Sequence, residues 1–223
     1  MNARHVMALA AFDAPVCRVC GAVAHARFAH CFCCATLVRQ LQMPLTPVVA
    51  MADYRVGDRM HRRLRGYKDA PVAEARRACA AELAGLVRRW MTGSRADLEA
   101  RFGSTWDLVA TVPSSGRPVG VPVDTLVAHV ADLALRHRQL LVRGPEPTGH
   151  LRASRRGFEL VPAVDREWLR GKRILVFDDS ITTGARSQSA AAALRLAGGR
   201  VVGVMAVGRV VAGGRWATRP VLG

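Results

Sequence analysis

Arg173-Ile174-Leu175-Val176-Phe177-Asp178-Asp179-Ser180-Ile181-Thr182-Thr183-Gly184-Ala185-Arg186-Ser187 decides how the chain folds. Ile174 to Phe177 is a continuous apolar run of the length expected for a strand buried on both faces, and it stops at two adjacent carboxylates. Thr182 and Thr183 supply hydroxyls, and Gly184 supplies a residue able to take φ > 0. The alanine-rich run Ala190 to Leu196 then reads as a helix. Backbone N–H groups at such a helix start suit a phosphate, so an acid pair beside an anion nest fits a ligand with diol hydroxyls at one end and a phosphate at the other.

Working outward, Val48 to Tyr54, Trp106 to Val112, Leu140 to Arg143 and Arg200 to Val211 read as further strands, and Leu160 to Val164 is a second short apolar run. Helical spacing covers Pro71 to Met91 and Val123 to Arg136. Alternation of strands and helices predicts an α/β fold with a mostly parallel sheet flanked by helices and ligands at the carboxyl ends of its strands. The Trp106 to Val112 strand feeds Pro113-Ser114-Ser115-Gly116-Arg117-Pro118, a second anion-sized loop or an ordinary proline-bounded turn. Arg59 to Lys68 is basic, a solvated helix face or a site element. Lys68 and Lys172 are the only lysines in an arginine-rich chain, which marks Lys68 as a place where an ammonium is wanted. Arg152 to Phe158 is a shielding flap or a charged connection.

Five of the six cysteines lie between Cys17 and Cys34. Cys17-x2-Cys20 and Cys31-x2-Cys34 have the spacing of a zinc ribbon, a closed tetrahedral site for structural Zn²⁺ in a unit too small for its own core. Cys33 competes with Cys34 for the fourth position, and spacing favours Cys34. Residues 1–43 are therefore read as a zinc-ribbon region and residues 44–223 as the α/β domain, with Pro44 and Pro47 marking a linker. Because the acid-pair motif has its own strand and helix, its ligand binding is expected to survive loss of the metal.

The chain is 223 residues long, half of them hydrophobic, enough for a full core. Its net charge of +16 suits nucleic acid, anionic membrane or phosphorylated small molecules. The arginines are spread along the chain and aromatics are 5%, which favours a general basic surface over a groove that stacks bases. The apolar patch Val6 to Phe12 is brief for a signal peptide and no run approaches a membrane span, so a cytoplasmic protein with reduced thiols is expected.

The acid pair and Thr-Thr-Gly loop resemble the phosphoribosyl pyrophosphate (PRPP) motif of type I phosphoribosyltransferases. By that resemblance Asp178 and Asp179 hold the ribose hydroxyls, and Thr182, Thr183, Gly184, Ala185, Arg186 and Ser187 hold the 5-phosphate. Arg186 stands where that family has a small hydroxyl residue, so the contact there is a guanidinium contact or passes to Ser187. Ser114, Ser115, Gly116 and Arg117 resemble the pyrophosphate loop. With the cysteine pairs in front and a Tyr-Lys segment between, the chain resembles the ComF (ComF/GntX-like) family from Cys17 to about Val211, where that family's Arg-Gly-Phe-Asn appears as Arg156-Gly157-Phe158-Glu159. The resemblance implies phosphoribosyl transfer from PRPP, with Mg²⁺, to an unidentified acceptor, Asp178, Asp179 and Lys68 being the catalytic candidates. It also leaves open a non-catalytic PRPP or nucleotide sensor, and a DNA-uptake protein that contacts single-stranded DNA or protein partners.

Overall fold

The computed structural model describes residues 15–25, 27–114 and 122–211. The apolar patch at Val6 to Phe12 and the loop residues Ser115, Gly116 and Arg117 lie outside them. In chain order the elements are α1 (Phe32–Leu41), β1 (Val48–Tyr54), α2 (Arg59–Asp69), α3 (Ala73–Gly93), α4 (Arg95–Phe102), β2 (Leu108–Thr111), α5 (Pro122–Ala128), α6 (Ala131–Ala134), β3 (Leu141–Arg143), β4 (Phe158–Leu160), α7 (Arg166–Leu169), β5 (Arg173–Ile181), α8 (Ala185–Leu196) and β6 (Arg200–Val210). Four strands form a parallel sheet in the order β1-β6-β5-β2, and β3 and β4 pair antiparallel as a separate ribbon.

The sheet is buried on both faces, as its unbroken apolar strands require. Ile174 and Val176 of β5 face a core shared with Ala190, Ala191 and Leu194 of α8. Leu175 and Phe177 face the opposite core, built from α2 to α6 around Leu83, Val87 and Leu126. Gly203 on β6 lets this second core close, since a Cβ there would run into the Phe102 ring.

Several boundaries differ from the sequence reading. β5 does not stop at Phe177 but runs through both acids to Ile181, because its partner β6 continues alongside, Asp178 pairing with Ala206 and Ser180 with Gly208. α8 begins at Ala185, five residues before the alanine run, directly after Gly184 at φ 80°. The helix expected over Val123 to Arg136 is two short ones. β4 takes Phe158–Leu160, so the strand begins inside the basic segment and ends where the apolar run starts. The stretch at Pro44 to Pro47 is not a loose linker. Thr46 is fully buried, its N–H donates to Gln188 Oε1 (2.9 Å), and its carbonyl accepts from Gln188 Nε2 (2.8 Å).

The cysteine region packs on the sheet's β1–β6 edge. Val48 N–H donates to Val19 O, Arg209 donates to the Cys20 carbonyl, and Cys17, Val19 and Cys34 join the core that contains Val48 and Val204. Among the described residues no helix is long and apolar enough to cross a membrane.

Candidate functional site

The carboxyl end of β5 carries the acid pair, and strand geometry sends the two side chains to opposite faces. Asp178 turns toward α8, where the Ser187 hydroxyl donates to its Oδ2 (2.8 Å), while its Oδ1 accepts from the Asp179 N–H (3.0 Å). Asp179 turns toward α2. Lys68 Nζ lies 2.7 Å from its Oδ1, and the Tyr67 hydroxyl donates to its Oδ2. Both carboxylates are buried, at 8% and 7% exposure. Burial, reinforced by the neighbouring Asp179 charge, pushes the Asp178 carboxyl up to about 6, against the opposing pull of Arg186, Ser187 and Lys68.

α2 is aimed at this point by its N-cap. Asp58 accepts from the His61 N–H (2.8 Å) and from the Arg55 N–H (2.9 Å), fixing the helix start, so that Tyr67 and Lys68 arrive in its last turn. Arg59 to Lys68 is thus a helix whose last turn abuts the acid pair. Lys68 stands out in the sequence as one of two lysines, whereas Tyr67 has only its place in the Tyr-Lys pair.

The loop after β5 has the form expected of it. Gly184 takes the left-handed conformation and N-caps α8, which places the first-turn N–H groups of that helix beside Thr182 and Thr183. Arg186 reaches across to donate to the Pro113 carbonyl at the end of β2, while Ser187 goes to Asp178. Ser114 follows Pro113, so the start of the second loop lies against the loop after β5. A cluster the sequence did not signal lies just below: Thr111 Oγ1 donates to Asp124 Oδ1 (2.6 Å), and His137 Nε2 is 3.3 Å from both groups. Residues 149 to 155 are held down, with the Leu151 N–H on Thr183 Oγ1 (3.3 Å) and the Ser154 N–H on Ser189 Oγ (3.0 Å).

At the other end of the molecule the Sγ atoms of Cys17, Cys20, Cys31 and Cys34 all lie within 4.8 Å of one another. Cys20 is 3.7 Å from both Cys31 and Cys34, too long for disulfides and suited to four ligands around one ion. The fourth member is Cys34. Hydrogen bonding between the two pulls the Cys31 thiol down and pushes the Cys20 thiol up. The cluster is consistent with structural zinc. Among the described residues it is the one group of three or more His, Cys, Asp or Glu side chains placed to hold a metal.

No protein-family model matches the chain, and no curated protein matches it. Among solved structures, the allosteric regulatory enzyme of purine biosynthesis is similar over 58% of this chain and 25% of its own, at 21% identity and a TM-score of 0.32. The present chain thus matches a quarter of that enzyme's length.

Proposed function

We propose that the chain binds PRPP at the carboxyl end of β5 and transfers its phosphoribosyl group to an acceptor, with release of pyrophosphate. The observation that carries this reading is the buried acid pair abutting a loop that turns through Gly184 into α8. Ribose hydroxyls would meet Asp178 and Asp179 from above the strand end, and the 5-phosphate would take the N–H groups of Thr183 to Ser187 and the dipole of α8. The fit requires exchange at Asp179, a sugar hydroxyl displacing the Tyr67 hydroxyl while the Lys68 contact is kept. Charge and position, without a side-chain nucleophile, would promote loss of pyrophosphate.

Mg²⁺ would arrive with the substrate. The two acids have Lys68, Tyr67 and Ser187 as partners and do not form a ligand group of their own, so the ion enters on the pyrophosphate, whose charge it neutralises. Pyrophosphate contacts fall to Ser114 and, beyond the described residues, to Ser115, Gly116 and Arg117. Zn²⁺ in the four-cysteine cluster would be structural, with no open position. Calorimetry with PRPP and Mg²⁺, followed by an acceptor screen for pyrophosphate release, tests the proposal. Binding without release under any acceptor would favour the sensor reading.

A second reading, contact with single-stranded DNA as in ComF-like DNA uptake, draws on the cysteine region. Phe28 and Phe32 are 64% and 72% exposed there, beside the exposed Arg18 and Arg27. The slope of DNA affinity against salt tests it, a flat line excluding phosphate contacts.

A further inference from the structure

Leu151 is one of two described non-glycine residues with positive φ, at 52°. That conformation costs free energy for a branched side chain and persists where surroundings impose it. Here both of its backbone polar groups are held by distant parts of the chain. Its N–H donates to Thr183 Oγ1 (3.3 Å), and its carbonyl accepts from Gln40 Nε2 (2.9 Å). Gln40 closes the clamp with its other end, Oε1 accepting from the Ala153 N–H (2.8 Å). Arg155 adds bonds to the carbonyls of Leu41 and Gln42 at the end of the same helix, the second at 2.7 Å.

That helix is α1, which has Cys31 as its N-cap and Cys34 in its first turn. Its Leu37 and Leu41 pack against Ala185 and Ala192 of α8 and Ala153. One rigid element therefore has two cluster thiols at its start and the clamp at its finish. Thr183 Oγ1 accepts from the Leu151 N–H and from the Ala185 N–H (3.4 Å), which fills the acceptor side of a hydroxyl that has one hydrogen to donate. That hydrogen is left to donate to solvent or to a loop-bound anion.

We infer that Gln40 is a positioning residue for the Thr183 loop: by fixing Leu151 and Ala153 it orients the Thr183 hydroxyl toward a ligand phosphate, and α1 thereby links the four-cysteine cluster to anion binding. This rests on reading residues 182–187 as the phosphate loop. It also replaces the expectation that the ribbon and the acid-pair site are independent.

The test uses the full-length chain carrying Gln40→Ala, Thr183→Ala and both together. Gln40 is exposed, so its truncation leaves the core intact. Hydrogen exchange is followed in peptides covering 149–155 and 182–187, and affinity for PRPP with Mg²⁺ is measured in parallel. Gln40→Ala should speed exchange in both peptides and weaken PRPP roughly ten-fold, and its effect on affinity should vanish in the Thr183→Ala background, since a residue acting through Thr183 is non-additive with it. Unchanged exchange at 182–187, or additive losses of affinity, would overturn the inference while leaving PRPP binding intact. Should the unsubstituted chain not bind PRPP at all, the functional reading fails, and exchange at 182–187 alone decides the role of Gln40.

Discussion

Lys68 Nζ lies 2.7 Å from Asp179 Oδ1 across 111 residues of chain, joining the last turn of α2 to the end of β5. The lysine side chain is 30% exposed and the aspartate 10%, so the pair is neither a solvated surface bridge nor a fully desolvated one. Lys68→Met leaves a buried carboxylate with Tyr67 as its remaining side-chain donor among the described contacts. It should cost about 1–3 kcal/mol of stability, the range for stranding one buried hydrogen-bond partner. Denaturant titration checks this, and Asp179→Asn combined with Lys68→Met should recover part of the loss.

Asp178 has its carboxyl raised from the usual 3.8 to about 6 by burial and the Asp179 charge. A carboxyl raised on folding contributes stability that is present below pH 4 and is lost as pH rises toward and through 6. At about 1.4 kcal/mol per unit, the penalty above pH 6 is of the order of 3 kcal/mol. Asp178→Asn should therefore raise the Tm of the ligand-free chain at pH 8, and the gain should disappear near pH 4. The same variant should bind PRPP less well, since an amide replaces a carboxylate acceptor. In the unsubstituted chain, affinity should fall as pH drops through about 6.

Removing metal from the cysteine cluster should loosen more than residues 15–43. Chelation should accelerate hydrogen exchange in α1 and, through Gln40, in residues 149–155, while β5 and β6 stay protected. One zinc per chain, retained in Cys33→Ser and lost in Cys34→Ser, is the expected elemental analysis. Metal-free protein from reducing, chelator-free purification would contradict it.

Gly203→Ala drives a methyl into the Phe102 ring in the core between β6 and α4. An overpacked core of this kind costs about 1–3 kcal/mol. Urea denaturation should show the loss, with PRPP affinity unchanged because the substitution lies away from the carboxyl end of the sheet.

The alternation of buried strands and helices was plain in the sequence because apolar runs such as Ile174 to Phe177 leave little choice of element. The cysteine spacing likewise grouped Cys17, Cys20, Cys31 and Cys34, the four thiols that the fold brings together. What the sequence hid were effects of partners. Hydrophobicity ends at Phe177, yet β5 continues to Ile181 because β6 offers it a ladder, and that continuation turns Asp178 and Asp179 to opposite faces. Tyr67, the Gln40 clamp and the Thr111–Asp124–His137 cluster depend on contacts between distant segments, and no local spacing announces them. The Pro44 to Pro47 stretch looked like a linker because prolines punctuate it, while Gln188, Arg195 and Val204, more than 140 positions on, supply its hydrogen bonds.

PRPP affinity, measured by calorimetry with Mg²⁺ on the unsubstituted chain and on the Asp178→Asn/Asp179→Asn double variant, tests the central claim most directly. Saturable binding by the first and a loss of at least roughly ten-fold in a folded second is the expected result, since two charged acceptors are removed from buried hydroxyl contacts. No binding by the unsubstituted chain, or equal affinity in the two, would contradict it.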